Sequence, residues 1–254
     1  MMPHNPGMER YYRQIILPEI GIEGQRKLRD STVIIKAQTV GSCAFLLYYL
    51  AAVGIGTLYC DFAEEHGLGF LIRQIQAFNS GVKIQAVPAG LKNLPRDAGV
   101  CVIQGSFQYL AQSHDEPDGK RIPLIIAANQ GWQGWFQFIK RPDYLGMLLS
   151  GPGQQPPMGQ NIPDDGAESV FSRHLLGALA AVEVVKSLLG LENSATYGLE
   201  FDLFTMRFVR YEGRRTCPTS IANPCVTPET LGASPGLITT ADTQQLAQSQ
   251  VVVV

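Results

Sequence analysis

Between a short apolar run, Val33–Ile35, and a near-continuous apolar segment, Phe45–Val53, the chain reads Lys36-Ala37-Gln38-Thr39-Val40-Gly41-Ser42-Cys43. A strand, a tight turn and a buried helix in that order form the usual cradle for nucleotide phosphates. Glycines are needed there because the backbone must turn sharply and bring its N–H groups close to the phosphates. Gly41 is the lone glycine of this segment, so it is the candidate cofactor-binding position in a turn that otherwise lacks the fingerprint. A second strand, Thr57–Phe62, carries Asp61 at its end, where an acidic side chain of a doubly wound fold accepts hydrogen bonds from a ribose. Asp61 can equally be a strand-end carboxylate in a turn.

The elements that must position these residues alternate. Phe45–Val53 suits a buried helix, and Gly54 and Gly56 end it. Leu68–Phe78 can form a helix, Val82–Val87 alternates like a strand, and Val100–Gln104 is a further buried strand. Such alternation predicts a parallel sheet. Pro123–Ala128 and Trp135–Ile139 flank a Gly-Trp-Gln-Gly turn and read as a strand pair, with Trp132, Trp135, Phe136 and Phe138 expected to cover the sheet end. Leu175–Leu189 is the longest convincing helix, preceded by His174 in a cap-region or packed role, and Leu199–Tyr211 supplies two closing strands. The expected fold is α/β: a doubly wound, Rossmann-like, mostly parallel sheet with added antiparallel strands. Residues 1–215 make one domain. Residues 216–254 are rich in Pro, Thr, Ser and Ala with few aromatics, and are expected to be a disordered tail.

Composition excludes several classes of function. A chain of 254 residues, 45% hydrophobic and at net charge −2, can build one large core. Lys and Arg are spread along it, so no basic stripe offers the phosphate contacts a nucleic acid requires. No run approaches the roughly 20 apolar residues of a membrane span, and the first residues lack the apolar core of a signal peptide. A cytoplasmic location follows. Five cysteines at scattered spacings argue against a disulfide framework. Cys43, Cys60 and Cys101 sit in apolar contexts and are expected in the core. His66 and His114 lie in polar loops with no adjacent nucleophile.

Several longer words occur in a fixed order. RYYRQIIL begins at Arg10, YLAAVGIGTL leads from helix to strand, and Asp61-Phe62 follows. PLIIAANQGWQG, LGALAAVEVVKSLLG and LEFDLFTMRFVRY come next, running on to Cys217-Pro218. In this order they resemble the ThiF/MoeB/HesA family, relatives of ubiquitin-activating enzymes that bind ATP and adenylate the C-terminus of a small carrier protein. The resemblance covers most of residues 9–217. It implies the fold described above, normally as a dimer. It also implies a role for Arg13, the second arginine of RYYRQ, which in the family reaches across the dimer to the partner's ATP phosphates; a guanidinium suits this because it is always charged and donates in a fork. An exposed ion pair on an N-terminal helix would use the same residue.

The other catalytic parts match less well. Counting forward from the strand places Ala37, Thr39 and Ser42 where the family has three spaced glycines; counting back from the helix places Gln38, Val40 and Cys43 there. Arg73-Gln74 imitates the family's Arg-Gln pair aimed at phosphates, although Arg73 also reads as a solvated helix residue. Asn79–Lys83 already resembles the end of the crossover helix and the start of the third strand, so the family's lysine-bearing segment is missing. The fourth strand runs Val100–Phe107 with no acid where active relatives place the carboxylate that positions magnesium. Of the two CxxC pairs that hold zinc in many relatives, Cys217 alone stands in a matching context, Ser220 replacing its mate, and Cys225 does not complete a site. The expectation is therefore no zinc, no cofactor in ordinary use, and a non-catalytic or regulatory subunit. Such a subunit would form a homodimer, or a heterodimer with an active relative, and could meet a small ubiquitin-like or sulfur-carrier protein. The alternative is an adenylyltransferase with a rearranged site built on Arg13, Asp61 and Arg73, using ATP and magnesium.

Overall fold

The computed structural model describes residues 9–86, 98–112, 122–140, 167–191 and 196–213. Cys217, Ser220, Cys225, His114, the boundary at 215 and the segment from 216 onward lie outside the described residues. Eight strands form one sheet in the order β3-β2-β1-β4-β5-β6-β7-β8. They are β1 Thr32–Thr39, β2 Thr57–Glu64, β3 Lys83–Ala86, β4 Ala98–Ser106, β5 Leu124–Gln130, β6 Gln133–Ile139, β7 Tyr197–Asp202 and β8 Arg207–Glu212. β3 to β5 in that order pair in parallel, and β6, β7 and β8 continue antiparallel. This is the doubly wound, Rossmann-like, mostly parallel α/β sheet with added antiparallel strands.

The helices are α1 Tyr12–Ile15, α2 Gly21–Arg29, α3 Val40–Val53, α4 Leu68–Phe78, α5 Phe107–Gln112 and α6 Ala167–Leu189. None of them is long and apolar enough to cross a membrane. The chain moves one way across the sheet through α3 and α4 and the other way through α5. Right-handed crossovers therefore place α5 on the opposite face from α3. Val33, Ile35 and Ala37 of β1 join the main core with Leu46, Leu47 and Leu50 of α3 and Leu176, Ala180 and Val184 of α6. Gly177 makes this helix pair close: a Cβ there would lie 2.8 Å from the Leu46 nitrogen.

The C-terminus of α3 is closed completely. Gly54, at φ +87°, takes the left-handed conformation in which a helix commonly ends, and its N–H and that of Ile55 reach back to Ala51 and Leu50 carbonyls. Two side-chain amides satisfy the remaining acceptors, Gln14 on Ala52 O at 3.3 Å and Gln25 on Val53 O at 2.8 Å, and Asn79 gives Ala51 O a second donor at 2.7 Å. Asn79 also donates to the Tyr11 hydroxyl at 2.7 Å, and Tyr11 lies where a Gly54 side chain would be. The first tyrosine of the RYYRQ word, Tyr11, is thus a buried strut, whereas Tyr12 is exposed.

Several boundaries differ from the sequence reading. β1 does not stop at Ile35 but continues to Thr39, because Lys36 and Ala37 are still paired with β2 and β4, and Thr39 with Glu64 of β2. α3 begins at Val40, ahead of Phe45. β2 runs to Glu64, so Asp61 lies within the strand instead of at its end. Trp135, Phe136 and Phe138 are buried strand residues of β6; Trp132, in the turn, is the one of the four at the sheet end, stacked on Phe171. His174 does not precede its helix. It lies inside α6, against the Phe45 ring and hydrogen-bonded to the Tyr49 hydroxyl.

Candidate functional site

In open α/β sheets the ligand crevice lies beyond the carboxyl ends of the strands, where the strand order reverses. Here that point lies between β1 and β4. No residue separates β1 from α3: Thr39 is both the last strand residue and the helix N-cap. Its hydroxyl accepts from the Ser42 N–H at 3.0 Å, and the Ser42 hydroxyl accepts from the Thr39 N–H at 3.2 Å. This reciprocal pair is a capping box, and it engages a donor that a helix N-terminus would otherwise offer to an anion. Replacing Thr39 by alanine should cost about 1 kcal/mol of stability, read as a lower urea midpoint at unchanged slope.

The crevice is lined by the protein's own amides. Gln38 Oε1 accepts from the Ser106 N–H at 2.9 Å, tying the end of β1 to the end of β4. Gln104, fully buried, donates to the Ser42 carbonyl at 2.8 Å beneath the first turn of α3. Ser106 in turn accepts from the Tyr109 N–H at 3.1 Å at the start of α5. A Cβ on Gly105 would lie 2.3 Å from the Tyr109 ring and 3.1 Å from Gln38 Cβ, so these side chains fill the space beside that backbone. Of the two registers for the absent glycines, the forward one puts Ala37 in the buried strand, Thr39 on the cap and Ser42 in the capping box. The backward one puts Gln38 across the strand ends and buries Val40 and Cys43.

The candidate residues are not gathered in one place. Gly41 is exposed in the first turn of α3, where a side chain's first carbon would meet nothing nearer than Thr39 Oγ1 at 3.8 Å. Arg13 is exposed on α1, at the far end of α3, since its neighbour Gln14 caps Ala52. From Gly41 to Ala52 the helix rises roughly 17 Å. Asp61 is half-buried and stands in register with Lys36, a buried lysine. Because Cys60 and Phe62 join the core under α3, strand alternation turns Asp61 and Lys36 to the other face. Arg73 is exposed on α4 and its guanidinium lies back along the helix near Gly69. Of the amides that do converge, Gln38 stands where one register expects a glycine and Gln104 in the strand that lacks an acid, but neither carried a sequence signal for the bonds it makes.

Among the described residues no three His, Cys, Asp or Glu side chains are grouped to hold a metal ion. Cys43, Cys60 and Cys101 are free and buried. Burial pushes the Cys60 and Cys101 thiols up to about 12, Lys36 drawing Cys101 slightly the other way, and raises Cys43 well above the usual thiol range. The thiolate is the nucleophile, so at pH 8 these three should stay unmodified by iodoacetamide in the native protein and react once it is unfolded, as peptide mapping would show.

No family model matches the chain. It is similar to the sulfur carrier protein adenylyltransferase of Thermus thermophilus, at 28% identity over 249 residues, covering 83% of this chain and 90% of that protein. That likeness supports the ThiF/MoeB family for this chain. A second ThiF/MoeB relative is the adenylyltransferase and sulfurtransferase MOCS3 of Xenopus laevis, 25% identical over 260 residues, with 88% of this chain covered. The chain spans about half the length of the MOCS3 proteins it matches. Among solved structures, E. coli MccB superimposes with a TM-score of 0.57 at 15% identity, covering 84% of this chain and 72% of MccB. MccB has also been solved with ATP and with MccA.

Proposed function

We propose that this ThiF/MoeB-family chain is a non-catalytic or regulatory subunit that acts by associating with itself or with an active relative. The observation that carries the reading is the junction at Thr39, where strand passes into helix with no loop to wrap a phosphate. The residues around it do not fit a triphosphate: the Ser42 N–H is engaged by Thr39, Gln38 spans the strand ends, and β4 ends in Gln104 and Ser106 in place of a carboxylate that could hold magnesium. One lost electrostatic donor in a catalytic site lowers a rate by on the order of 100- to 1,000-fold, and here several are missing together. Arg13, exposed at the end of α3 away from Gly41, is too far from its own crevice and is free to serve a partner's. A cytoplasmic setting and a small ubiquitin-like or sulfur-carrier protein as an eventual contact belong to the same proposal.

The purified protein should show no ATP–pyrophosphate exchange with sulfur-carrier proteins, and magnesium-ATP should leave its melting temperature unchanged. A ligand at 100 times its dissociation constant would add about 2.7 kcal/mol, so binding of ordinary strength could not escape notice. The relatives' names favour a second reading, an adenylyltransferase with a rearranged site using Arg13, Asp61 and Arg73 with ATP and magnesium. Robust exchange, weakened by Asp61→Asn, would establish that reading and refute the first.

A further inference from the structure

We infer that the end of the sheet carrying the β5–β6 and β7–β8 turns is a lipid-binding tip, which seats the chain on a membrane surface without crossing it. The inference does not rest on the proposed function, so either can fail alone. Residues 131–132 join β5 to β6, residues 203–206 join β7 to β8, and the two turns are tied together by the Leu203 N–H, which donates to the Trp132 carbonyl at 3.0 Å. From α6, Ser172 Oγ donates to the Gly131 carbonyl at 2.7 Å, and Phe171 stacks on Trp132 with ring centroids 5.4 Å apart. Phe204 adds a third ring 6.4 Å from that of Trp132. Leu203 packs against the core, whereas Phe171, Phe204 and Met206 are 57%, 65% and 71% exposed. Contiguous exposed apolar surface of this kind marks an interaction site.

Met206 is a second, independent observation. Among the described residues it is the one non-glycine residue at positive φ, +53°. Glycine or asparagine takes that conformation at less cost, and a side chain so exposed returns little to the fold. Strain of this kind, held at the end of a turn to present an apolar side chain, points to something outside the chain that covers it.

Charge and layering argue for a lipid surface as the occupant. Neither turn contains Asp, Glu, Lys or Arg. One residue behind them the side chains turn polar: Gln130 and Gln133 flank the first turn, Asp202 and Arg207 the second. Asp202 is folded back on the turns, Oδ1 accepting from the Phe204 and Thr205 N–H groups at 2.9 and 3.1 Å and Oδ2 from the Gln133 amide at 3.3 Å. Arg207, in register with Asp202 and exposed, is left as the outward charge beside the apolar end. Aromatic and apolar tips with a guanidinium one residue further back follow the order of a membrane from acyl chains to phosphates. A groove on a protein requires no such order.

Flotation of the full chain with lipid vesicles tests this. The wild type should float with vesicles of mixed phosphatidylcholine and phosphatidylserine and bind pure phosphatidylcholine more weakly; Arg207→Ala should lose about fivefold on the mixed vesicles. Phe204→Asp should abolish flotation. Met206→Gly should weaken it about tenfold while preserving or raising the melting temperature, a pairing that a merely structural methionine would not give. Of the two tryptophans Trp135 is already fully buried, so the emission of Trp132 should shift to the blue when vesicles are added to the wild type, a reading that needs no variant to fold. Absence of flotation with either vesicle, absence of the fluorescence shift, or flotation indifferent to Phe204→Asp and Met206→Gly overturns the inference. So does a photocrosslink from position 204 to a sulfur-carrier protein that vesicles do not compete away, which would assign the tip to a protein partner.

Discussion

Gly56→Ala should be the most damaging single methyl addition in the described core, lowering stability by about 3 kcal/mol or more. A Cβ at Gly56 would lie 1.8 Å from the Arg29 carbonyl oxygen and 2.9 Å from its carbon. Those are backbone atoms at the end of α2, so no rotamer change relieves the clash. Moving them would break the hydrogen bonds that stitch the region together: Gly56 N–H to Leu28 O at 3.3 Å, Thr57 N–H to Ser31 O at 3.1 Å and Lys83 N–H to Gly56 O at 2.9 Å. The entries to β1, β2 and β3 would all shift. Chemical denaturation should show a much lower midpoint, and native-like stability in the alanine variant would mean that α2 does not pack as described.

The second large effect is expected at Asn79, which is 4% exposed. Its amide nitrogen donates to Tyr11 OH and Ala51 O, and its oxygen accepts from the Gly81 N–H at 3.2 Å. Alanine would strand a buried hydroxyl and leave a helix-terminal carbonyl with one donor fewer, where each unsatisfied group costs about 1–3 kcal/mol. We expect Asn79→Ala to lose about 3 kcal/mol in total, and Tyr11→Phe to lose less because only one partner of a shared donor goes. A double-mutant cycle between the two should show coupling. Additive losses would mean that the Tyr11–Asn79 bond contributes nothing.

Both predictions concern residues with very different visibility in the sequence. Gly56 was read with Gly54 as the end of a helix, but Gly54 alone is the cap and Gly56 is fixed instead by its approach to the Arg29 carbonyl, a contact no local pattern announces; the α4 bounds, the β5–β6 hairpin and the closing pair β7–β8 followed from periodicity and turn residues. Apolar repeat period reports which face is buried, so it recovers elements that have one buried face. It failed at Lys36 and Gln38, polar residues that looked like the start of a turn. They belong to a strand because their polar ends are met elsewhere in the fold, Gln38 by Ser106. Asn79, Gln14 and Gln25 were invisible as caps for the same reason: their acceptors lie 28 to 38 positions away in the chain. Asp61 was placed at a strand end because the apolar run faded there, while pairing with β1 carries the strand to Glu64. The candidate site was therefore legible in what it lacked and illegible in what replaced it.

The Thr39 junction also bears on how readily the chain could change by mutation. Setting glycines at positions 37, 39 and 42 would erase the capping box and weaken the strand end, yet the strand would still meet the helix at the same peptide bond. A return to a glycine-rich turn by stepwise substitution therefore passes through variants that have lost the cap before they have gained a place for a phosphate, each less stable than the present chain.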